Sequence, residues 1–585
     1  MLNPRIYRAA FLPVFVAVVA VAFSFHSQPG ALGTNLAPAA FNGQAAFTRL
    51  TSLAQHYPNR RPGSPGDNGV ADQVANGLHT YNFSVRRSTF EAQTVDGTRA
   101  VENVIGEHPG SSTGRIVVVA HRDALGRQAT AELSGTATLI ELARVLSGRT
   151  LNRTVDLVST SSSTGLAGAT QLAASLGGPI DAVIVLGDVA GTRVHEPVVV
   201  PWSGGENLAP PLLRNTAAAA VRGEARIAPG GTSLAAQLAR LAFPMTLSEQ
   251  GPFNAVGIPA VLLSRSGERG PAANAPVSEA ALAGFGGAAL QTISALDGGP
   301  TIPPPSTYLL YNQMTVPVWP IRLLVLLLIL PVLCAGIDGF ARARRRGHTV
   351  GRWAAWVLAT ALPFALASLF VVALGALKLV PAAPPGPVMA GAVPVHLGAI
   401  AEIVAAAAVL LLAMFPIRSA IVRRVDLRGD PNEAGGAAAV LLVMCAVALV
   451  LWVANPFAAA LIVPALHLWM WIVAPEVRLR APVALVMLLV GLAPVALVIL
   501  YYATQFNLGP LGVAWTGLLL VAGGGLGIAT LLEWSIVAGC AVSVGLIATR
   551  AAREGAPEPA PVTVRGPITY AGPGSLGGTK SALRR

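Results

Sequence analysis

Beyond residue 316 the chain is a succession of apolar stretches, near 319–337, 353–377, 395–415, 435–454, 457–474, 481–501 and 511–549, separated by short polar loops. At about 1.5 Å of rise per residue, each of the first six is long enough to cross a hydrocarbon layer as a helix. Only helices that satisfy their own backbone tolerate that surrounding, so residues 316–549 are expected to form a C-terminal all-α transmembrane bundle. The last stretch is too long for one ordinary span and carries three glycines at 523–525, so two helical pieces are expected, of which both need not cross. With 53% apolar and only 12% charged residues in 585, the chain as a whole reads as a membrane protein with a separate soluble part.

Residues 9–25 (AAFLPVFVAVVAVAFSF) follow Arg5 and Arg8 and read as an uncleaved N-terminal anchor within 1–30. Positive charge comes almost wholly from arginine, which gathers at 342–346 (RARRR), at 418–428 and at Arg478 and Arg480. With the N-terminus inside, all these loops fall inside, whereas 380–394 and 502–510, which lack Lys and Arg, fall outside. The reading is a multi-pass protein of the cell membrane with residues 40–297 extracytoplasmic and a flexible tail at 550–585. Arginines at membrane flanks suit anionic lipid headgroups; without aromatic interleaving or finger spacing they give no nucleic-acid partner. Cys334, Cys445 and Cys540 lie inside apolar stretches and cannot staple the soluble part.

Between 40 and 297 charges return and no apolar run reaches spanning length. GRIVVVAH (114–121), TVDLVST (154–160), DAVIVLGD (181–188) and IPAVLLS (258–264) read as buried strands. Helix-like segments lie between and around them, near 134–147, 165–176, 208–223, 232–241 and 277–296. This alternation predicts an α/β domain with a mostly parallel central sheet and flanking helices. Ligands of such sheets sit at the carboxyl ends of the strands, where His121 and Asp188 stand. A Pro- and Gly-rich segment, 298–315, reads as a linker to the bundle.

Several motifs follow in order: RRPGSPGD (60–67), ENVIGEHPG (102–110), VVVAHRDALG (117–126), ELSGTATLIELARVL (132–146), STGLAGA (163–169), VLGDVAG (185–191) and SEQGPFNAVGIPAVLL (248–263). Over about 45–297 this series resembles the M28 family of zinc aminopeptidases. The resemblance implies two zinc ions bridged by a carboxylate and a water, with a glutamate as general base. It places a metal histidine at His121, its orienting aspartate at Asp123 and a metal carboxylate at Asp188. It also implies that the bridging aspartate falls on Ala131, the general base on Ser162, an adjoining ligand on Ser163 and the last histidine on Gln250, beside Glu249. Three of five ligands and the base are then lost. The layout with a following bundle also resembles the GPI-anchor attachment subunit of the GPI transamidase and the multi-pass M28 metallopeptidases.

A pair of divalent cations brings about four positive charges that anionic ligands must balance, and Asp188 is the one acid among the matched ligands. The expected pocket has too little negative charge, and Glu132 enters only through a register slip. The resulting expectation is a pseudopeptidase with no cofactor, a single residual zinc at His121 and Asp188 being the alternative. On the bland reading His121 pairs with Asp123, Asp188 caps the turn before Gly191, and the Ser161–Ser163 hydroxyls satisfy nearby backbone N–H groups. Expected partners are membrane lipids and a membrane protein or lipid-linked molecule; the rival functions are an altered metal-dependent aminopeptidase and a lipid or solute carrier. In the bundle, Glu402, His467 and Glu533 fall at membrane depth, where charge is costly unless paired, and Lys378 is placed to pair with Glu402.

Overall fold

The computed structural model describes residues 4–33, 40–381, 384–427, 434–474, 477 and 479–553. Arg478, Arg428 and the tail beyond 553 lie outside these residues. The α/β domain is built on seven strands: β1 (Ser84–Thr94), β2 (Gly97–His108), β3 (Arg115–His121), β4 (Thr154–Thr160), β5 (Ile180–Leu186), β6 (Val199–Val200) and β7 (Ala260–Leu263). Their order across the sheet is β1-β2-β4-β3-β5-β7-β6. Only the centre is parallel: β3 runs with β4 and β5, and β5 with β7. The β1–β2 hairpin joins β4 antiparallel, and β6 joins β7 antiparallel. The sheet is therefore mixed, and the expectation of a mostly parallel one is corrected. The reason lies in β1, whose exposed edge carries Arg86, Arg87 and Glu91 and so lacks the apolar run by which the central strands announce themselves.

The central strands alternate between two cores. Ile116, Val118, Ile184 and Leu186 face the helices Gly43–His56, Pro65–Thr80, Ser134–Leu146 and Glu279–Asp297. Val117, Val119, Val183 and Val185 face the other way and belong to a buried cluster that continues through Phe253 and Trp202 into the bundle. One apolar core thus joins domain and membrane helices. A small second sheet joins them too: His26–Ser27 pairs with Met314–Pro317, which pairs with Tyr308–Tyr311. The segment read as a linker therefore contains a hairpin that ties the first membrane helix to the second.

Among the described residues, eight helices are long and apolar enough to cross a membrane: Arg5–Ala22, Val318–Arg345, Val350–Ala376, Leu397–Arg424, Gly435–Ala454, Pro456–Val473, Ala481–Gln505 and Ile528–Arg550. The stretch 511–549 breaks at its glycines into Pro510–Ala522 and the last span. At thirteen residues, the first piece is about 20 Å long, short of a layer about 30 Å thick. Trp515 Nε1 donates to Val393 O at 3.1 Å, in the loop after Ala376. At its other end Ala522 O abuts Gly375, where a Cβ would lie only 2.1 Å away. The short helix therefore lies across the domain-side ends of its neighbours. Eight crossings put residues 4 and 553 on one side and the α/β domain on the other. Arg5, Arg342, Arg344, Arg423 and Arg550 all gather on the side away from the domain.

Of the polar groups expected at membrane depth, His467 has structural partners, whereas Glu402 Oε2 is buried without a hydrogen-bond partner among the described residues. His467 Nδ1 bonds the Tyr7 hydroxyl at 2.8 Å and its Nε2 bonds Leu328 O at 2.9 Å, so this histidine fastens the N-terminal helix to the bundle. No Lys378–Glu402 ion pair forms among the described residues, which corrects that expectation. Glu533 faces a cavity treated below.

Candidate functional site

The tips of β3, β4 and β5 deliver His121, the serine turn and Asp188 to one place, and the glycines of the motifs explain why the turns persist. A Cβ on Gly135 would come 2.4 Å from Leu186 O, so only glycine lets the helix start seat on β5. Gly165 has φ +92° and faces Pro384 of a bundle loop, whose ring a Cβ would meet at only 2.4 Å. The shape of the site thus survives for packing reasons.

Its chemistry differs from the expectation in charge. Glu132, Asp188, Glu249 and Glu268 all line the residual pocket beside His121 and Ser163, so acids are plentiful and the predicted deficit of negative charge is corrected. What is missing is a free donor set. Glu132 Oε2 lies 2.8 Å from His121 Nε2, and Glu249 Oε2 lies 3.6 Å from His121 Nδ1. Both ring nitrogens are engaged by glutamates, and His121 does not pair with Asp123. Asp123 instead accepts from Ser163 N at 3.0 Å and from the Ser163 hydroxyl at 3.0 Å. Glu249 Oε1 accepts from the Thr160 hydroxyl at 2.6 Å. Glu268 is spent on Arg240, with both side chains buried. Asp188 accepts from the N–H groups of Gly191 at 2.6 Å and Ala190 at 3.2 Å, closing the turn after β5.

The replaced positions are equally committed. Ala131 is buried and presents a methyl. Gln250 Nε2 donates to Trp202 O at 3.0 Å, away from His121. Ser161 donates to Asp67 at 2.6 Å. Ser162 has φ +61°, a left-handed backbone that costs a residue with a side chain roughly 1 kcal/mol or more. Its hydroxyl is buried without a protein partner. The serine hydroxyls at 161 and 163 therefore meet carboxylates, not the backbone N–H groups expected of them. Among the described residues no group of three or more His, Cys, Asp or Glu side chains is arranged to hold a metal ion. The residues present do not fit the paired zinc centre that the family implies, because Ala131 offers no donor, Ser162 and Gln250 offer only neutral oxygens, and His121 is engaged by Glu132 and Glu249.

Sequence reasoning missed the part played by Glu132, Glu249, Glu268 and Arg240. The signal lay in the acids beside two replaced positions: Glu132 follows Ala131, and Glu249 precedes Gln250. Both carboxylates reach His121.

Burial opposes charge on His121, but Glu132 and Glu249 outweigh it and hold the imidazolium well above the usual histidine range. Burial raises Asp123 to about 7, with His121 opposing. Burial also raises Asp188 to about 6, against the Gly191 N–H. All three shifts mean that the folded state binds protons more tightly than the unfolded one. The Asp123 contribution is largest below the unfolded carboxylate value and is lost as pH climbs to about 7; that of His121 holds to the ordinary imidazole value and is lost as pH passes its raised one. Stability should therefore fall as pH rises from about 4 to 7 with Asp123, and again above the ordinary imidazole value with His121. Thermal unfolding followed by hydrogen exchange across residues 115–190 checks this, and Glu132→Gln should flatten the profile.

A model of peptidase family M28 matches residues 103–275. Among solved structures, the chain is similar to the aminopeptidase from Aneurinibacillus sp. strain AM-1, at 14% identity over 46% of this chain and 95% of that one, TM-score 0.37. It is also similar to an Acidobacteriales bacterium glutaminyl cyclase, at 19% identity over 45% and 97%, TM-score 0.36. The zinc aminopeptidase BSAP from Bacillus subtilis gives 11% over 43% and 94%, TM-score 0.34. No curated protein matches the sequence. The protein is a multi-pass membrane protein that carries an M28-peptidase-like domain. In that domain the metal-binding cluster is not detectable among the described residues.

Proposed function

We propose that the α/β domain is a catalytically inactive relative of the M28 peptidases, held on the extracytoplasmic face of the cell membrane, which binds a membrane protein or lipid-linked partner and supports assembly of a membrane complex. The observation that carries this reading is internal charge compensation at the strand tips. His121 answers Glu132 and Glu249, and Arg240 answers Glu268 from outside the pocket, so acids that line the pocket are engaged by protein cations. The remaining pocket is about 30 Å³, capped by Met389 from a loop of the bundle itself. That is room for about one water, whereas ligand pockets run to several hundred Å³. Eight membrane helices far exceed what anchoring a peptidase requires. The gathering of arginines on the face away from the domain supports the extracytoplasmic placement.

The test is metal analysis and peptidase assay of the purified full chain. With zinc supplied and excess removed, fewer than one zinc per chain should remain and aminoacyl p-nitroanilides should not be hydrolysed above the blank. Two tightly held zincs with release of N-terminal residues would reject the reading in favour of an altered aminopeptidase.

A further inference from the structure

A second cavity, of about 680 Å³, lies between the α/β domain and the domain-side ends of the membrane helices. The domain contributes Phe243, Met245 and Val256; the bundle contributes Leu451, Leu520 and Trp534. Val256 is an apolar residue 62% exposed on the domain surface, turned into this space. Of the lining side chains only Glu533 is ionisable, so a phosphate or carboxylate is a poor occupant. A helix with its side chains is about 10 Å across, so the volume would hold under two turns of one. The walls include the ends of three membrane helices, at the level where bilayer chains end and headgroups begin. A mostly apolar space in that position, with a single carboxyl in its wall, suits a chain that is already dissolved in the adjacent layer.

We propose that this cavity takes the acyl chain of a bilayer lipid, gripping it between the α/β domain and the bundle. The proposal rests on the reading of the domain as a binding module and names the chemistry of what it binds. The wall segment 242–246 follows directly on Arg240, whose guanidinium donates to Met245 O at 3.2 Å and also holds Glu268 of the strand-tip pocket. Occupancy is thus connected to the closed site through one side chain.

The experiment uses the full chain in phosphatidylcholine vesicles that contain a phosphatidylcholine with a diazirine at its acyl terminus. After irradiation, peptides covering 243–256 and 520–534 should carry the label. Ala255→Trp, which fills the cavity from the domain side, should lower that labelling about five-fold or more, because a packed wall leaves no room for a chain. Thr530→Trp should do the same from the bundle side, and labelling of the lipid-facing segment 485–500 should not change in either variant. Label confined to lipid-facing helices, or undiminished in both filled variants, overturns the proposal, as does displacement by an apolar peptide but not by unlabelled lipid. None of these outcomes bears on zinc content or hydrolysis, so this proposal can fail while the pseudopeptidase reading stands.

Discussion

Arg240→Met is expected to cost about 3–5 kcal/mol at the junction of domain and bundle, because it leaves Glu268 buried with no counter-charge. Arg240 sits on the helix Leu234–Ala242, with its own side chain and that of Glu268 almost wholly covered. Its Nε donates to the Tyr501 hydroxyl at 2.8 Å, and its guanidinium carbon stands 5.2 Å from the Trp202 ring centre and 5.7 Å from that of Tyr501. Such stacking adds about 1–2 kcal/mol when desolvated. Nearby, Asn455 Nδ2 donates to Leu241 O at 2.7 Å and Tyr502 to Phe243 O at 2.5 Å, so the same helix end is fastened at three points. The measurement is hydrogen exchange over residues 234–269 in detergent, where the variant should open far more readily than the parent chain. The double variant Arg240→Met with Glu268→Gln should regain most of the loss, since the stranded charge goes with its partner. A single variant that exchanges like the parent would show that the apolar core alone holds the two parts together.

What the sequence disclosed and what it hid follow from the range of the interactions. The spans could be located because the bilayer imposes a length and a composition on each segment separately, although the helices Val318–Arg345 and Leu397–Arg424 run eight and nine residues past the stretches read from the sequence. Strands β3, β4 and β5 were legible for a similar local reason: burial on both faces leaves unbroken β-branched runs such as IVVVA. The β1–β2 hairpin was not legible, since its outer strand is solvated and mixes Arg, Glu and Ser with apolar residues. In the site, the loss of the expected ligands could be seen residue by residue, but the destination of the remaining acids could not. Glu132 is eleven residues from His121 and Glu249 more than a hundred, and nothing local says that both turn to the same ring. Met389 over the pocket and Tyr7 on His467 are contacts between separate parts of the chain, fixed only when domain and bundle pack.

The second large effect is expected at a residue that lies between two matched positions and matches none itself. Arg122, between His121 and Asp123, is fully buried. Its Nε lies 2.9 Å from Asp67 Oδ1, Nη1 donates to Ser159 O at 3.1 Å and Nη2 to Glu102 O at 2.8 Å. One guanidinium thereby ties the start of the helix Pro65–Thr80 to β2 and β4, while Asp67 also receives the Ser161 hydroxyl. Arg122→Met should destabilise the domain by about 3–5 kcal/mol, leaving the Asp67 side chain without its counter-charge and three carbonyls without the guanidinium. Arg122→Lys should recover little, because an ammonium cannot present donors in a planar fork to three separate acceptors. By contrast Ser163→Ala should cost only about 1 kcal/mol, since it removes one hydroxyl and leaves the Ser163 N–H on Asp123. Protease resistance of the domain in membranes, compared across the three variants, measures the difference. If Ser163→Ala proved as damaging as Arg122→Met, the serine turn would be holding more than a vacated catalytic loop should. If the ranking is as expected, the charges that matter at the strand tips are those that join strands to one another, which is what a site kept for its shape and not for its chemistry requires.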